Sequence, residues 1–318
     1  MLYSLFLVFL AFQNAVQQSM NELVHIKDSE ITSDHIKIYF YCRYREHTPK
    51  LVELSDFDQL SKAGYSETKN NYFYIPCYKI DPLDWLSDSQ RLKDTVIHAH
   101  DVNFFLVDWT SLATVDVVDK HTYLVGRIKD IGKLVGKMIK DFITDNALSF
   151  DNTQIVGYSV GAHIAGIAGR ECDGKLSQIL GLDPASREFS LENESNRLAP
   201  DSALNVQVIH TGGDDRGFPE PIGWSDWYPN GGMSQPMCDS SFEKDPSKCS
   251  HSMAIEFYLE SICTTNFVAW PCPGYHEFKR NRCSNVGKPA WMGGFLLDPH
   301  AKGTYYFDTK LQSPFAKG

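Results

Sequence analysis

Residues 154–170 read QIVGYSVGAHIAGIAGR, and this stretch decides how the chain folds. Gln154-Ile155-Val156 has strand character, and Ala162 to Arg170 is an alanine- and glycine-rich run that reads as a helix. Between them Gly157-Tyr158-Ser159-Val160-Gly161 is a G-x-S-x-G pattern. A strand that turns straight into a helix leaves little room. The residues two before and two after the serine collide unless both lack side chains, and Gly157 and Gly161 meet that demand. The turn thrusts Ser159 out at the helix N-terminus, where the backbone N–H of Val160 can meet a developing oxyanion. Gly166 and Gly169 are expected to let the helix pack close to the sheet.

Outward from this turn, strand-like and helix-like segments alternate. Ile36, Ile38 and Phe40 alternate with Lys37, Tyr39 and Tyr41, and Tyr72–Ile75 and Phe104–Val107 are further short strands. Between Tyr123 and Ile143 the apolar positions fall three and four apart, which predicts one amphipathic helix whose lysines form a solvated outer face. Gln178–Leu182 and Val206–His210 complete the strands. The alternation predicts an α/β fold with a mostly parallel central sheet flanked by helices.

A serine hydroxyl is a weak nucleophile without a base and an orienting acid. On a strand–turn–helix serine these follow later in the chain, acid first and histidine second. Asp183 ends the apolar run Ile179-Leu180-Gly181-Leu182, where such an acid belongs, and Asp201, Asp214 and Asp215 are rivals without that placement. Four histidines follow: His210, His251, His276 and His300. His210 ends a strand and reads as structural. His251 opens a helical run two residues after Cys249, and is favoured as the base.

The 318 residues carry 30 basic and 40 acidic side chains, a net charge of −10, which argues against a nucleic-acid partner. A hydrophobic content of 42% is enough for a sizeable core. Leu2 to Phe12 is an uncharged apolar run of signal-peptide length, too short to span a bilayer, so residues 1–19 are expected to be a leader and 20–318 one domain. The eight cysteines suit disulfides in a secreted chain, and the spacings of Cys238/Cys249 and Cys272/Cys283 suggest two local bridges. Asn193-Glu194-Ser195 is a glycosylation sequon. No metal or organic cofactor is implied.

GYSVGAHIAG (157–166), GLDPA (181–185), DWYPNGGMSQPMC (226–238), CSHSMAIEFYLES (249–261) and SPFAKG (313–318) together resemble the pancreatic lipase family over residues 34–318. The resemblance implies an α/β-hydrolase fold without a C-terminal β-sandwich, acting on lipid esters with transient contact to a lipid surface and no dedicated protein partner. It implies Ser159 as nucleophile, Asp183 as acid and His251 as base. It also implies that the Cys238–Cys249 bridge closes the lid. With ten residues between those cysteines, the short lid resembles phospholipase A1 members, including secreted insect forms. Triacylglycerol or galactolipid substrates are the alternative. By the same resemblance Trp224, Trp227 and Tyr228 either border the mouth or serve in ordinary packing.

One stretch departs from the family pattern. A His-Gly-Phe-like motif supplies the second oxyanion N–H in family members, and here Pro76-Cys77-Tyr78 stands in its place. Tyr78 keeps its N–H, but Cys77 lacks the conformational freedom of glycine. Losing one oxyanion donor costs about 100- to 1,000-fold in rate. A catalytically impaired lipid-binding or storage protein on the same fold is therefore the competing reading.

Overall fold

The computed structural model describes residues 31–77, 83–84, 86–113, 120–146, 148–239, 243–283 and 286–318. The expected leader and the expected oxyanion donor Tyr78 lie outside these residues.

Among the described residues eleven strands form the sheet: β1 (Lys37–Tyr41), β2 (Lys50–Val52), β3 (Asn71–Ile75), β4 (Asn103–Asp108), β5 (Thr153–Tyr158), β6 (Gln178–Leu182), β7 (Val206–Ile209), β8 (Ser225–Pro229), β9 (Val268–Pro271), β10 (Ala290–Trp291) and β11 (Gly303–Phe307). Their order is β10-β9-β11-β8-β7-β6-β5-β3-β4-β1-β2. The run from β4 to β11 is parallel throughout. Antiparallel strands β1 and β2 finish one edge, and β9 and β10 the other. This is the mostly parallel sheet that the sequence predicts.

Seven helices accompany it among the described residues: α1 (Phe57–Lys62), α2 (Asp88–Ala99), α3 (Lys120–Val125), α4 (Ile128–Asp145), α5 (Val160–Glu171), α6 (Pro246–Cys263) and α7 (Tyr275–Lys279). Successive strand residues point to opposite faces, so each strand feeds two cores. Phe73, Phe105, Ile155 and Ile179 pack with Ile131, Val135 and Ile139 of α4 and Ile164 and Ala168 of α5. Tyr72, Phe104, Val156 and Leu180 pack on the other face with Leu92 and Val96 of α2 and Ala254, Phe257 and Tyr258 of α6. Burying a side chain of this size contributes about 1.5–3 kcal/mol, so covering both faces is what holds the sheet.

Two expectations need correction, and one open choice is decided. The helix predicted over 123–143 is two helices, broken between Val125 and Ile128, where Gly126 lowers the cost of leaving the helix. Gly166 serves the loop after β6 and not the sheet, since a β-carbon there would stand 2.5 Å from Leu198 Cα. A β-carbon on Gly169 would meet both Ser202 O at 2.1 Å and Ile179 Cδ1 of β6 at 2.5 Å. Of the two roles open to the aromatics, Trp227 and Tyr228 take packing and not the mouth. They lie in β8, buried, with Trp227 Nε1 donating to Gln207 Oε1 at 3.0 Å, while Trp224 just before the strand is exposed.

Register brings the interesting residues to one edge. Tyr158 pairs with Leu182, and Leu182 with Ile209. Ser159, Asp183 and the His210-Thr211 segment therefore emerge side by side at the carboxyl ends of β5, β6 and β7.

Candidate active site

Ser159 stands between β5 and α5 with φ 58° and ψ −121°. An L-residue in so sparse a region costs on the order of 1–3 kcal/mol. The flanking glycines show why the chain accepts that cost. A β-carbon on Gly157 would lie 2.4 Å from Gly161 O, and one on Gly161 would lie 2.2 Å from Ile75 O and 2.7 Å from Pro76 O. The second pair of contacts presses the 75–76 backbone against the first turn of α5, next to the N–H of Val160. Pro76 is fixed there, because its carbonyl accepts from Trp109 Nε1 at 3.0 Å.

Asp183 also takes a positive φ, 40°, which Asp tolerates better than most residues. Its side chain is wholly buried, and every oxygen is used. Oδ1 accepts from the backbone N–H of Thr211 at 2.7 Å and of Gly212 at 3.1 Å. Oδ2 accepts from His251 Nδ1 at 2.6 Å. Three N–H donors around one carboxylate satisfy what burial would otherwise leave costly. With Nδ1 donating, the neutral imidazole presents Nε2 as the acceptor, the tautomer a general base requires.

His251 lies in the second turn of α6, whose start is fixed on three sides. Asp245 caps the helix by accepting from Lys248 N at 2.9 Å. Cys249 is bridged to Cys238, as the spacing predicts, and Cys272 to Cys283. Arg216, from the same loop as Gly212, donates to Ser247 Oγ at 2.8 Å and to Asp245 Oδ2 at 2.9 Å. The loop that grips the Asp183 carboxylate thus also grips the helix carrying His251.

The Tyr158 ring stands 4.9 Å from the His251 ring, and burial pushes its phenol pKa up, so it remains neutral beside the imidazole. Among the described residues no hydrogen bond joins Ser159 Oγ to His251 Nε2. Such bonds are often long without substrate and tighten on binding. The accessible parts of the constellation are Ser159 and His251, at 5% and 8% exposure, against 0% for Asp183.

The rivals fall elsewhere. Asp201 is an exposed partner of Arg170, Asp215 accepts from Ser247, and Asp214 is not among the partners of His251. His276 lies on α7 within the Cys272–Cys283 loop, and His300 is exposed near the other end of the chain. His210 is structural, as expected, between Phe218 and Asp226. Asn193 is exposed.

Several residues that build the site are not readable as such. β-carbons on Gly212 and Gly217 would stand 2.8 Å and 2.4 Å from Asp183 oxygens, so both glycines are needed to let the loop close on the carboxylate. Gln235 is fully buried, donates to Thr211 O and Pro229 O at 3.1 Å each, and its backbone N–H meets Ser250 Oγ at 3.0 Å. The one sequence signal for this loop is Gly212-Gly213 directly after a strand, a turn mark with no hint of its partner.

The chain is 30% identical over 307 residues to "Lipase member H" of Oryctolagus cuniculus, covering 89% of this chain and 64% of that protein. It is 32% identical over 284 residues to "Phospholipase A1 member A" of Bos taurus, covering 84% and 60%. The chain thus spans under two thirds of the length of these curated relatives. Among solved structures, that of esterase PE8 is similar at 18% identity, over 45% of this chain and 68% of that one, with a TM-score of 0.31. A family model described as Lipase matches residues 7–315. With its motifs in order on an α/β-hydrolase sheet, the chain belongs to the Lipase family.

Proposed function

We propose that the protein is a secreted carboxylic ester hydrolase acting on lipids, with phospholipids cleaved at the sn-1 ester as its main substrate. The observation that carries the reading is the 2.6 Å bond from His251 Nδ1 to the buried Asp183 carboxylate, beside a serine on a strained strand-to-helix turn. In this reading Ser159 Oγ attacks the ester carbonyl and its proton passes to His251 Nε2. The tetrahedral oxyanion is met by the N–H of Val160 and, from the loop after β3, of Tyr78. Collapse breaks the C–O bond, and the proton moves from His251 to the leaving lysophospholipid hydroxyl. Water, deprotonated by His251, then releases the fatty acid and restores Ser159.

The phospholipid preference rests on two supports. The Cys238–Cys249 loop is short, and a short lid leaves the mouth open to a polar head group. One relative is named Phospholipase A1 member A. Secretion rests on the apolar run at residues 2–12, cleaved near Ala15 or Ser19, on the two disulfides, and on the exposed sequon at Asn193, proposed to carry a glycan. No helix among the described residues is long and apolar enough to cross a membrane.

A second reading has one feature in its favour: Pro76-Cys77 precedes the second oxyanion donor. It would make the protein a lipid-binding or storage protein on the same fold. Fatty-acid release from phosphatidylcholine and triolein, with Ser159→Ala beside the wild type, separates the two. Ser159-dependent release from the sn-1 position is the expected result. Triolein hydrolysis alone would turn the substrate to triacylglycerol. Release equal to the Ser159→Ala background on both lipids would leave the non-catalytic reading.

A further inference from the structure

The turn that holds Asp183 has an anchor of its own. We propose that His210, through its Nδ1 bond to Phe218 O, is a positioning residue for the acid of the site. The inference rests on the triad reading above. His210 ends the β7 segment and is wholly buried. Its Nδ1 lies 2.6 Å from Phe218 O and its Nε2 2.9 Å from Asp226 Oδ1. Both partners are oxygens, so both ring nitrogens donate. The ring lies flat on Tyr228, 4.4 Å away at 4°. Asp226 in turn accepts from the N–H of Ile222 at 2.9 Å and of Gly223 at 3.1 Å. The pair is buried and its hydrogen-bonding needs are met.

What the pair holds matters more than that it is held. Thr211 and Gly212, the next two residues, donate to Asp183 Oδ1. The same turn comes back at Gly217, whose β-carbon position is 2.4 Å from that oxygen, and at Phe218, whose N–H donates to Pro184 O at 2.7 Å. The Nδ1 bond to Phe218 O therefore ties the end of the turn to its beginning, with the carboxylate between. Release it, and Oδ1 loses the rigidity of its two donors, while Oδ2 loses its aim at His251. His163, also wholly buried, is built differently: Nε2 donates to Ala185 O and Nδ1 accepts from Leu198 N, one bond of each kind. Two donated bonds make His210 a clamp between a carbonyl and a carboxylate.

Two isosteric variants separate this from simple packing. His210→Asn places an amide near Nδ1 and retains the reach to Phe218 O. His210→Gln places it near Nε2, keeps Asp226 and gives up Phe218. Both lose the ring stacked on Tyr228. The rate of Ser159 labelling by a fluorophosphonate is expected to fall about 10- to 100-fold in the Gln variant, and to stay within about threefold of wild type in the Asn variant, with probe affinity little changed in either. The downfield proton resonance of His251 Nδ1–H should persist in the Asn variant and vanish in the Gln variant. Equal rate losses in the two variants, tracking their thermal midpoints, would overturn the proposal, as would an unaltered resonance in the Gln variant. Asp226→Asn is the milder third variant. A rate near wild type supports the Phe218 link, and a loss as large as that of the Gln variant overturns it by placing the effect in the ion pair. Absence of Ser159-dependent labelling in the wild type would sink the triad reading instead, and the resonance would still decide the positioning.

Discussion

A β-carbon on Gly217 would stand 2.4 Å and 2.5 Å from the two oxygens of Asp183, well inside van der Waals contact. The backbone of Gly217 does not need a positive φ, so an alanine there is excluded by space alone. Gly217→Ala should push either the loop or the carboxylate aside. Overpacking of this kind costs about 1–3 kcal/mol of stability, and displacing the acid by a fraction of an ångström should lower kcat about 10- to 100-fold at little changed KM. Kinetics beside thermal unfolding check this, and a variant with wild-type kcat would show that the carboxylate has slack. The same residue type marks the limit of what the sequence reveals. Gly157 and Gly161 are legible because they collide within their own turn or beside it, so the G-x-S-x-G spacing contains the reason. Gly212 and Gly217 answer to an oxygen some thirty residues earlier, and no local pattern records that.

At the scale of elements, α5 does more than follow the serine. Its His163 is fully buried, with Nε2 donating to Ala185 O at 2.8 Å and Nδ1 accepting from Leu198 N at 3.2 Å. Those bonds tie the helix to both ends of the loop that leaves Asp183. Protonation would turn the Nδ1 acceptor into a donor against an N–H, and burial disfavours the charge. The imidazole is accordingly lowered to about 3, with desolvation the leading cause. Its folded value lies below the unfolded one of about 6.5. The stability linked to it is fully present above pH 6.5 and is lost progressively as pH falls from there toward 3. Wild type should therefore lose stability on acidification faster than His163→Gln over that window, and the gap between them in urea titrations should narrow from pH 7 to pH 4. Parallel losses would mean that His163 does not drive the acid sensitivity. The elements themselves were unevenly legible. β6 has the predicted bounds, Gln178–Leu182, because the short apolar run Ile179–Leu182 between turns admits little else. The burial of Trp227 and Tyr228 has no local signal, because it comes from the pairing of β8 with β7 on one side and β11 on the other.

For the molecule as a whole, the ordering of strands put Ser159, Asp183 and the His210 segment on one edge, and that followed from alternation of strands and helices along the chain. The charge distribution was legible in sum but not in detail. The net charge is −10, yet α4 carries Lys129, Lys133, Lys137 and Lys140 along its outer side, a pattern that could draw an acidic protein onto an anionic membrane. The structure answers part of this: Lys137 pairs with Asp141 and Lys140 with Asp173 at 3.0 Å, so much of the positive stripe is neutralised by neighbours. The long-range field of the protein should then be repulsive toward anionic lipid. Such repulsion acts over a Debye length of about 10 Å at 0.1 M salt and about 3 Å at 1 M. Hydrolysis of phosphatidylcholine vesicles containing phosphatidylglycerol should accordingly be slower than that of phosphatidylcholine alone at low salt, and should speed up as salt is added. Neutral vesicles should respond little. If anionic vesicles were instead hydrolysed faster at low salt and more slowly at high salt, the unpaired lysines of α4 would have to outweigh the net charge, and the docking face would be that helix.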